Sequence, residues 1–387
     1  MTKELFIKSE LQREWVTKIA ELKDSIQSAA DENDRLSRFP RETIQTLVEM
    51  GYTKLGLPKE FGGSSMTVSD LILLQETLAS YDGATALSIG WHQGVIGDLY
   101  ENRAWSQNRL DQFAIAVQNG ALVNRAVSEA QTGSPVRGGR PQTEAVQVEG
   151  GWRVTGRKTF TSMSPVLTHF LVTAWIEERN GIGTFLIKRT DEGLSIDPTW
   201  NMVGMRATES HDLILEQVYV PVDQLVEFSS APRTEKVNGW LLHIPACYLG
   251  IAQAARDYAI HFAVDYAPNS ISGTISTLPN VQAAIGQMDL ELIKARHVLY
   301  SVAEAYDDLS RRPYLTQELG VAKQTVTNAA IRIVDQAMRI VGAKSLEMSC
   351  PLQRYYRDVR AGLHNPPMDD MVISKLASNA IKAAERK

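Results

Sequence analysis

Side chains able to do chemistry on their own are sparse in this chain and widely spread. Seven histidines and two cysteines are distributed over 387 residues. Cys247 and Cys350 have no companion at ligand spacing, so they make neither a disulfide framework nor a metal cluster and read as packed thiols. No metal-ligand pattern, phosphate loop or strand-borne GxGxxG occurs, and no Ser-His-Asp order follows from spacing. His92 has the most unusual setting. Trp91-His92-Gln93 interrupts Ala84 to Tyr100, an apolar segment with no polar face that must be deeply buried. Such a histidine is either a satisfied core residue or part of a pocket wall. Asp369-Asp370 open the last helical stretch, where carboxylates serve as N-terminal caps or as acids.

The elements that must position these groups fall into three blocks. Residues 121–232 are the β-structured part. Val146, Val148, Trp152 and Val154 fall two apart or flank Gly150-Gly151, a natural hairpin turn, and His169 to Trp175, Gly183 to Ile187 and His211 to Val220 are further β-rich runs. Residues 1–120 read as helix: Leu11, Trp15, Ile19, Leu22 and Ile26 share one face of a first helix, Pro40 starts another that Gly51 ends, and Thr67 to Asp70 is an entry for Leu71 to Ala79. Residues 233–387 are again helical, with four long helices at Leu241–Ala263, Val281–Leu309, Gln317–Val341 and Met371–Ala384, a bundle. Hydrophobic residues at 44% and charged residues at 22% suit a globular protein, and the net charge of −5 is mild. No basic run exceeds Arg311-Arg312, so nucleic acid is excluded as a partner. The absence of any apolar run of about eighteen residues argues against a membrane span, and the expected location is cytoplasmic. Apolar helix faces this extensive point to a homotetramer or homodimer.

Three phrases carry a family resemblance. Ser128-Glu129-Ala130-Gln131-Thr132-Gly133-Ser134, Gly156-Arg157-Lys158-Thr159-Phe160-Thr161-Ser162, and Asn201 to Thr208 running on to Val218-Tyr219-Val220-Pro221 occur in order, followed by Gly250 to Ala255, Gln336 to Gly342 and Arg357-Asp358. Their order and spacing resemble the acyl-CoA dehydrogenase superfamily of flavoproteins along essentially the full chain. The resemblance implies an acyl-CoA dehydrogenase fold, with an N-terminal α-helical domain, a central β-barrel or sandwich domain and a C-terminal four-helix bundle, and a flavin, FAD or FMN. Matched positions that would hold it are Ser128, Ser134, Phe160, Thr161, Ser162, Arg339 and Gly342. A flavin ring wants an apolar or aromatic face and a few hydrogen-bonding groups, and these residue types supply both. If Thr161 and Ser162 lie in a strand, only one of them can face the ring.

The departures from the family pattern bear on the reaction. Dehydrogenation of an acyl thioester needs a positioned carboxylate base, and the family position for it is Pro366 here. The alternative family position, ten residues before Gly250, is Trp240, followed by Leu241. The Arg-x-x-Phe-Gly phrase that would fall in residues 268–274 is absent, and Arg339 and Gly342-Ala343 replace the family's Gln and Gly-Gly. These features are similar to the two-component flavin monooxygenases typified by dibenzothiophene monooxygenase, where Leu-His-x-Pro replaces the Glu phrase, as Leu363-His364-Asn365-Pro366 does here. That likeness implies catalytic roles for His364, His92, Ser162 and Asn124, a small organic substrate of a class that includes organosulfur compounds, and a flavin reductase as a further partner. Dehydrogenation of an acyl-CoA and a non-catalytic scaffold of the same fold stay open as alternatives.

Overall fold

Residues 2–132, 139–230 and 237–385 are described by the computed structural model of this chain. Ser9 opens α1 (Glu10–Glu21) through a reciprocal capping box with Gln12. The single first helix expected from the periodicity is two, because the chain bends at Leu22 before α2 (Lys23–Leu36). α3 (Arg41–Glu49) follows Pro40 and stops where Gly51 adopts φ of +81°. Thr67 and Asp70 cap α4 (Val68–Ala79), and the Asp82 carboxylate accepts from the Thr85 amide to open α5 (Gly83–Asn102). α6 (Gln107–Gln118) completes the block. α4 and α5 are buried almost all round, as their lack of a polar face requires.

The middle block is one eight-stranded sheet. Its strands are β1 (Val123–Ala126), β2 (Glu144–Val148), β3 (Gly151–Lys158), β4 (His169–Ile176), β5 (Gly181–Lys188), β6 (Leu194–Asp197), β7 (Asp212–Pro221) and β8 (Leu225–Ser229). The path runs β6-β7-β3-β2-β4-β5-β8, with β1 added parallel to β4. Gly150, at φ of +75°, turns the β2–β3 hairpin as the sequence predicts. Trp152, Val154, Phe170, Val172, Phe185 and Val218 point inward and form the core beneath the sheet.

In the C-terminal block α7 (His243–Asp265), α8 (Pro279–Asp307) and α9 (Glu318–Val341) pack on one another, and α4 lies against α7 and α8. Small residues on α7, Ala252, Ala255, Ala259 and Ala263, are fully buried and let the helices approach closely. Glu76 on α4 and Arg296 on α8 form an ion pair within this layer, 2.6 Å apart, with the Tyr300 hydroxyl donating to the same carboxylate. The short α10 (Pro351–Arg360), which is not among the four expected helices, packs on α7 and α9 with Leu352 and Val359 buried. The expected fourth long helix, α11 (Asp369–Glu385), buries only Val372 of its described residues.

One joint fixes the sheet to the helices. Arg357 of α10 binds the Asp34 carboxylate and donates to the Val203 carbonyl at 2.7 Å, while Asp358 accepts from the Met205 amide at 2.6 Å. Gly204 between them is obligatory, since a Cβ there would stand 2.3 Å from the Arg357 carbonyl oxygen.

Candidate active site

The site is built around the turn that follows β3. The Thr159 amide donates to the Ser128 carbonyl at 2.9 Å, the Thr161 amide to the His211 carbonyl at 3.1 Å and the Met163 amide to the Thr208 carbonyl at 3.0 Å, so two separate segments, one at Ser128 and one at Thr208 to His211, hold five residues. Within that span Phe160 and Met163 have φ of +56° and +67°. Left-handed backbone at a bulky residue is unfavourable by roughly 1–3 kcal/mol and persists where the surroundings over-determine it. Here it turns the Phe160 ring outward, 58% exposed, with Trp200 packed edge-on at 5.8 Å.

Because β3 ends at Lys158, the alternation expected for Thr161 and Ser162 does not apply: both lie in the turn and both are buried. The Thr161 hydroxyl is sealed inside, without a hydrogen-bond partner among the described residues. Ser162 retains slight exposure. Its carbonyl accepts from Asn124 Nδ2 at 3.1 Å, and its Oγ lies 2.8 Å from Ser210 Oγ. Ser210 is in turn 2.8 Å from Thr208 Oγ1, which donates to the Met205 carbonyl at 3.0 Å. This line of hydroxyls therefore ends on Met205, the residue whose amide Asp358 holds. Burial pushes the Asp358 carboxyl up to about 7, with Arg354 and the Met205 amide working the other way.

His92 is placed beside this turn as a strut. Its Nε2 contacts the Thr53 carbonyl at 2.9 Å and its Nδ1 accepts from the Val123 amide at 3.1 Å, so both nitrogens are used by backbone and the ring is the Nε2-protonated tautomer. Burial pushes it down to about 4, which keeps it neutral. Of the two settings open to it, satisfied core or pocket wall, its contacts are those of the core residue, one that orients β1 and, through β1, Asn124. Asn124 likewise serves backbone at both ends, accepting from the Arg125 amide at 2.8 Å.

The other sequence candidates are dispersed. Ser128 contributes through its carbonyl, and Ser134 lies outside the described residues. Arg339 is exposed in a groove of about 290 Å³ between α8 and α9, lined also by Gln287, Met288, Glu291 and Arg332. Gly342 is exposed at φ of +70°, with nothing near its α-carbon. Neither is brought to Ser162 within this chain by any hydrogen bond among the described residues. His364 stands exposed on the α10–α11 connection, whose next residue, Asn365, accepts from the buried Tyr248 hydroxyl. Asp369 turns inward, but onto α9: it accepts from Asn328 Nδ2 at 2.7 Å and lies 3.6 Å from Lys323 Nζ. Both cysteines are free and buried.

Sequence reasoning places Glu129 within the loop phrase without its role and does not pick out His243. Glu129 accepts from the Gln142 amide at 2.6 Å, from the Thr143 amide and hydroxyl and from the buried Lys158 ammonium. Burial opposes its charge, but the ammonium and these donors outweigh that and hold the carboxyl below its ordinary range. It pins the start of the turn rather than offering a base. His243, on the first turn of α7, is fully buried; neither ring nitrogen has a partner among the described residues, and burial pushes it down to about 3. Gly90 and Gly94 of α5 make room for it: a Cβ on Gly90 would stand 2.5 Å from its Nδ1. One turn earlier, Trp240 packs over Gly97 and donates to Glu101 at 3.1 Å.

Known proteins share this architecture throughout. The acyl-CoA dehydrogenase N-terminal, middle and C-terminal domain profiles match residues 9–103, 124–218 and 242–363. The Bacillus subtilis (strain 168) protein named "Putative acyl-CoA dehydrogenase YdbM" is 58% identical over 98% of this chain and 100% of its own length. L-evernosamine nitrososynthase from Micromonospora sp. is 28% identical over 87% of this chain and 82% of its own. Among solved structures, KijD3 in complex with FMN and an amino-keto-sugar nucleotide superposes with a TM-score of 0.84 at 24% identity, covering 97% of this chain and 94% of its own.

Proposed function

We propose a reaction from one premise: the chain belongs to the acyl-CoA dehydrogenase family and is a flavin-dependent oxidoreductase acting on a small molecule. The residues present fit a flavin. Phe160 offers an exposed aromatic face on a strained turn, and Ser162 keeps access to the same turn. Phe160, Ser162 and the backbone of Ser128 and Thr159 would hold the ring, with FMN favoured by the exposed setting of Arg339 and Gly342. No described helix is long and apolar enough to cross a membrane.

The reaction proposed is oxygenation of a small organic substrate by reduced flavin. The observation that carries it is the commitment of the carboxylates. Glu129 is taken by Lys158 and three further donors, Asp358 by the Met205 amide and Asp369 by Asn328, and Pro366 stands where the family's base would be. An α-proton cannot be removed without a base. In oxygenation, flavin supplies two electrons, one oxygen atom enters the substrate and the other leaves as water with two protons. His364, exposed on the loop beside Tyr248 and Asn365, is the side chain we assign to deliver a proton. Ser162 and Asn124 orient the turn on which the ring rests. A flavin reductase would supply the reduced cofactor, and a dimer or tetramer would cover α11.

Acyl-CoA dehydrogenation is the second reading, favoured by the name of the 58% identical relative. The test is an anaerobic titration of flavin-loaded protein with acyl-CoAs of several lengths, followed by supply of chemically reduced flavin and air with candidate amines and sulfides. Oxygenated product, lost in His364→Ala, is expected. Bleaching of the oxidised flavin by a thioester would overturn the oxygenase reading.

A further inference from the structure

Each hydroxyl in the line behind Ser162 has a single proton, and the far end of the line fixes where every proton goes. The Met205 carbonyl can only accept, so Thr208 must donate to it. Having spent its proton, Thr208 can only accept from Ser210, at 2.8 Å, and Ser210 can only accept from Ser162, also at 2.8 Å. All three residues are buried, at 8%, 3% and 1% exposure for Ser162, Ser210 and Thr208, so bulk water does not compete to reverse the order. The anchor is itself held, because Asp358 grips the amide of Met205, whose φ is +51°. Ser162, its one proton spent on Ser210, is therefore left with lone pairs only for any further partner.

We infer that the Ser162–Ser210–Thr208 line makes this site selective for reduced over oxidised flavin. The central ring nitrogen of an oxidised isoalloxazine carries a lone pair and would meet the lone pairs of Ser162. The same nitrogen in the reduced ring carries N–H and finds an acceptor. Ser210 and Thr208 act through Ser162 and are positioning residues. The inference rests on the proposed placement of a flavin edge against Ser162. It adds a redox preference that the exposed aromatic face of Phe160 cannot provide, since a face stacks on either form.

The test compares dissociation constants of oxidised and chemically reduced FMN and FAD, measured anaerobically, in the unaltered protein and in Ser210→Ala, Thr208→Val and Thr208→Ser. The unaltered protein should prefer reduced flavin by roughly tenfold or more, the equivalent of one hydrogen bond to an otherwise mismatched partner. Ser210→Ala frees the Ser162 proton, and Thr208→Val removes the anchor that sets the direction; both should bring the ratio close to one. Thr208→Ser keeps the anchor and should restore the preference, which a general loosening of the fold would not do. Equal affinities in the unaltered protein, or an unchanged ratio in both Ser210→Ala and Thr208→Val, would overturn the inference. Failure of the unaltered protein to bind either flavin would overturn the placement of the flavin and this inference together, whereas thioester bleaching with the ratio intact would remove only the oxygenase reading.

Discussion

Replacing His243 with leucine should make the protein more resistant to acid, and the size of the effect follows from where the ring sits. An imidazole with no exposure and no partner for either nitrogen among the described residues stays neutral when folded, with its value pushed down to about 3. Once unfolded it regains an ordinary value near 6.5. Between those two values the unfolded chain binds a proton that the folded one does not, so stability is full above about pH 6.5 and falls as the pH drops through that window. At pH 5 the deficit from this one residue is about 2 kcal/mol, and it is a few tenths at most at pH 7. For a chain of this length, with an unfolding entropy of about 2 cal/mol/K per residue, that corresponds to a melting shift of roughly 2–3 °C if it unfolds as a unit. His243→Leu also changes packing against Gly90 and Gly94, by an amount that does not depend on pH. The informative quantity is therefore the difference between two differences: the shift in melting temperature on mutation at pH 5 minus that at pH 7. It should be positive by the 2–3 °C above. Parallel pH profiles for the two proteins would refute the reasoning and place a proton on the buried ring. His92, held down to about 4, should add a similar acid sensitivity that His243→Leu leaves in place.

Glu129→Gln should be among the most damaging changes outside the helices, because it leaves the fully buried Lys158 ammonium without its counter-charge. The expected loss is about 3–5 kcal/mol, read as a lowered melting temperature, and a change within 1 °C would show that the pair does not hold the turn. Gly204→Ala brings a methyl group to 2.3 Å from a backbone oxygen of α10. It should open the joint between sheet and helices and weaken flavin retention several-fold in equilibrium dialysis, and retention equal to that of the unaltered protein would separate the joint from the site.

What the sequence makes legible is local. Gly51 and Gly150 stop a helix and turn a hairpin because only glycine takes their backbone readily, and Thr67 with Asp70 caps a helix through atoms three residues apart. The three-block architecture follows from such signals together with periodicity. The parts that elude it depend on distant partners. Whether His92 is satisfied is decided by a carbonyl 39 residues away and an amide 31 residues away, and the role of Glu129 by a lysine 29 residues on. The left-handed turn at Phe160 carries no glycine to announce it, so Thr161 and Ser162 read as strand. α10 does carry a helical pattern, with Leu352, Tyr355 and Val359 three and four apart on its buried face, but it is only ten residues long and arginine-rich, and its stability rests on packing against α7 and α9.

The burial of α4 has a consequence for how the chain is made. Ten of its twelve residues are buried, and α7 and α8, the latter ending at Asp307, supply a large part of the cover alongside α1 and α5. At a synthesis rate of about 5–20 residues per second, a nascent chain carries this apolar helix covered only by α1 and α5 for roughly 10–50 s after it leaves the ribosome. The N-terminal block thus buries α4 only in part by itself, and the face that α7 and α8 cover stays open until the later helices emerge. Fragments ending before α8 should aggregate, although the sheet between the two helical blocks can close its own core as soon as β8 is complete.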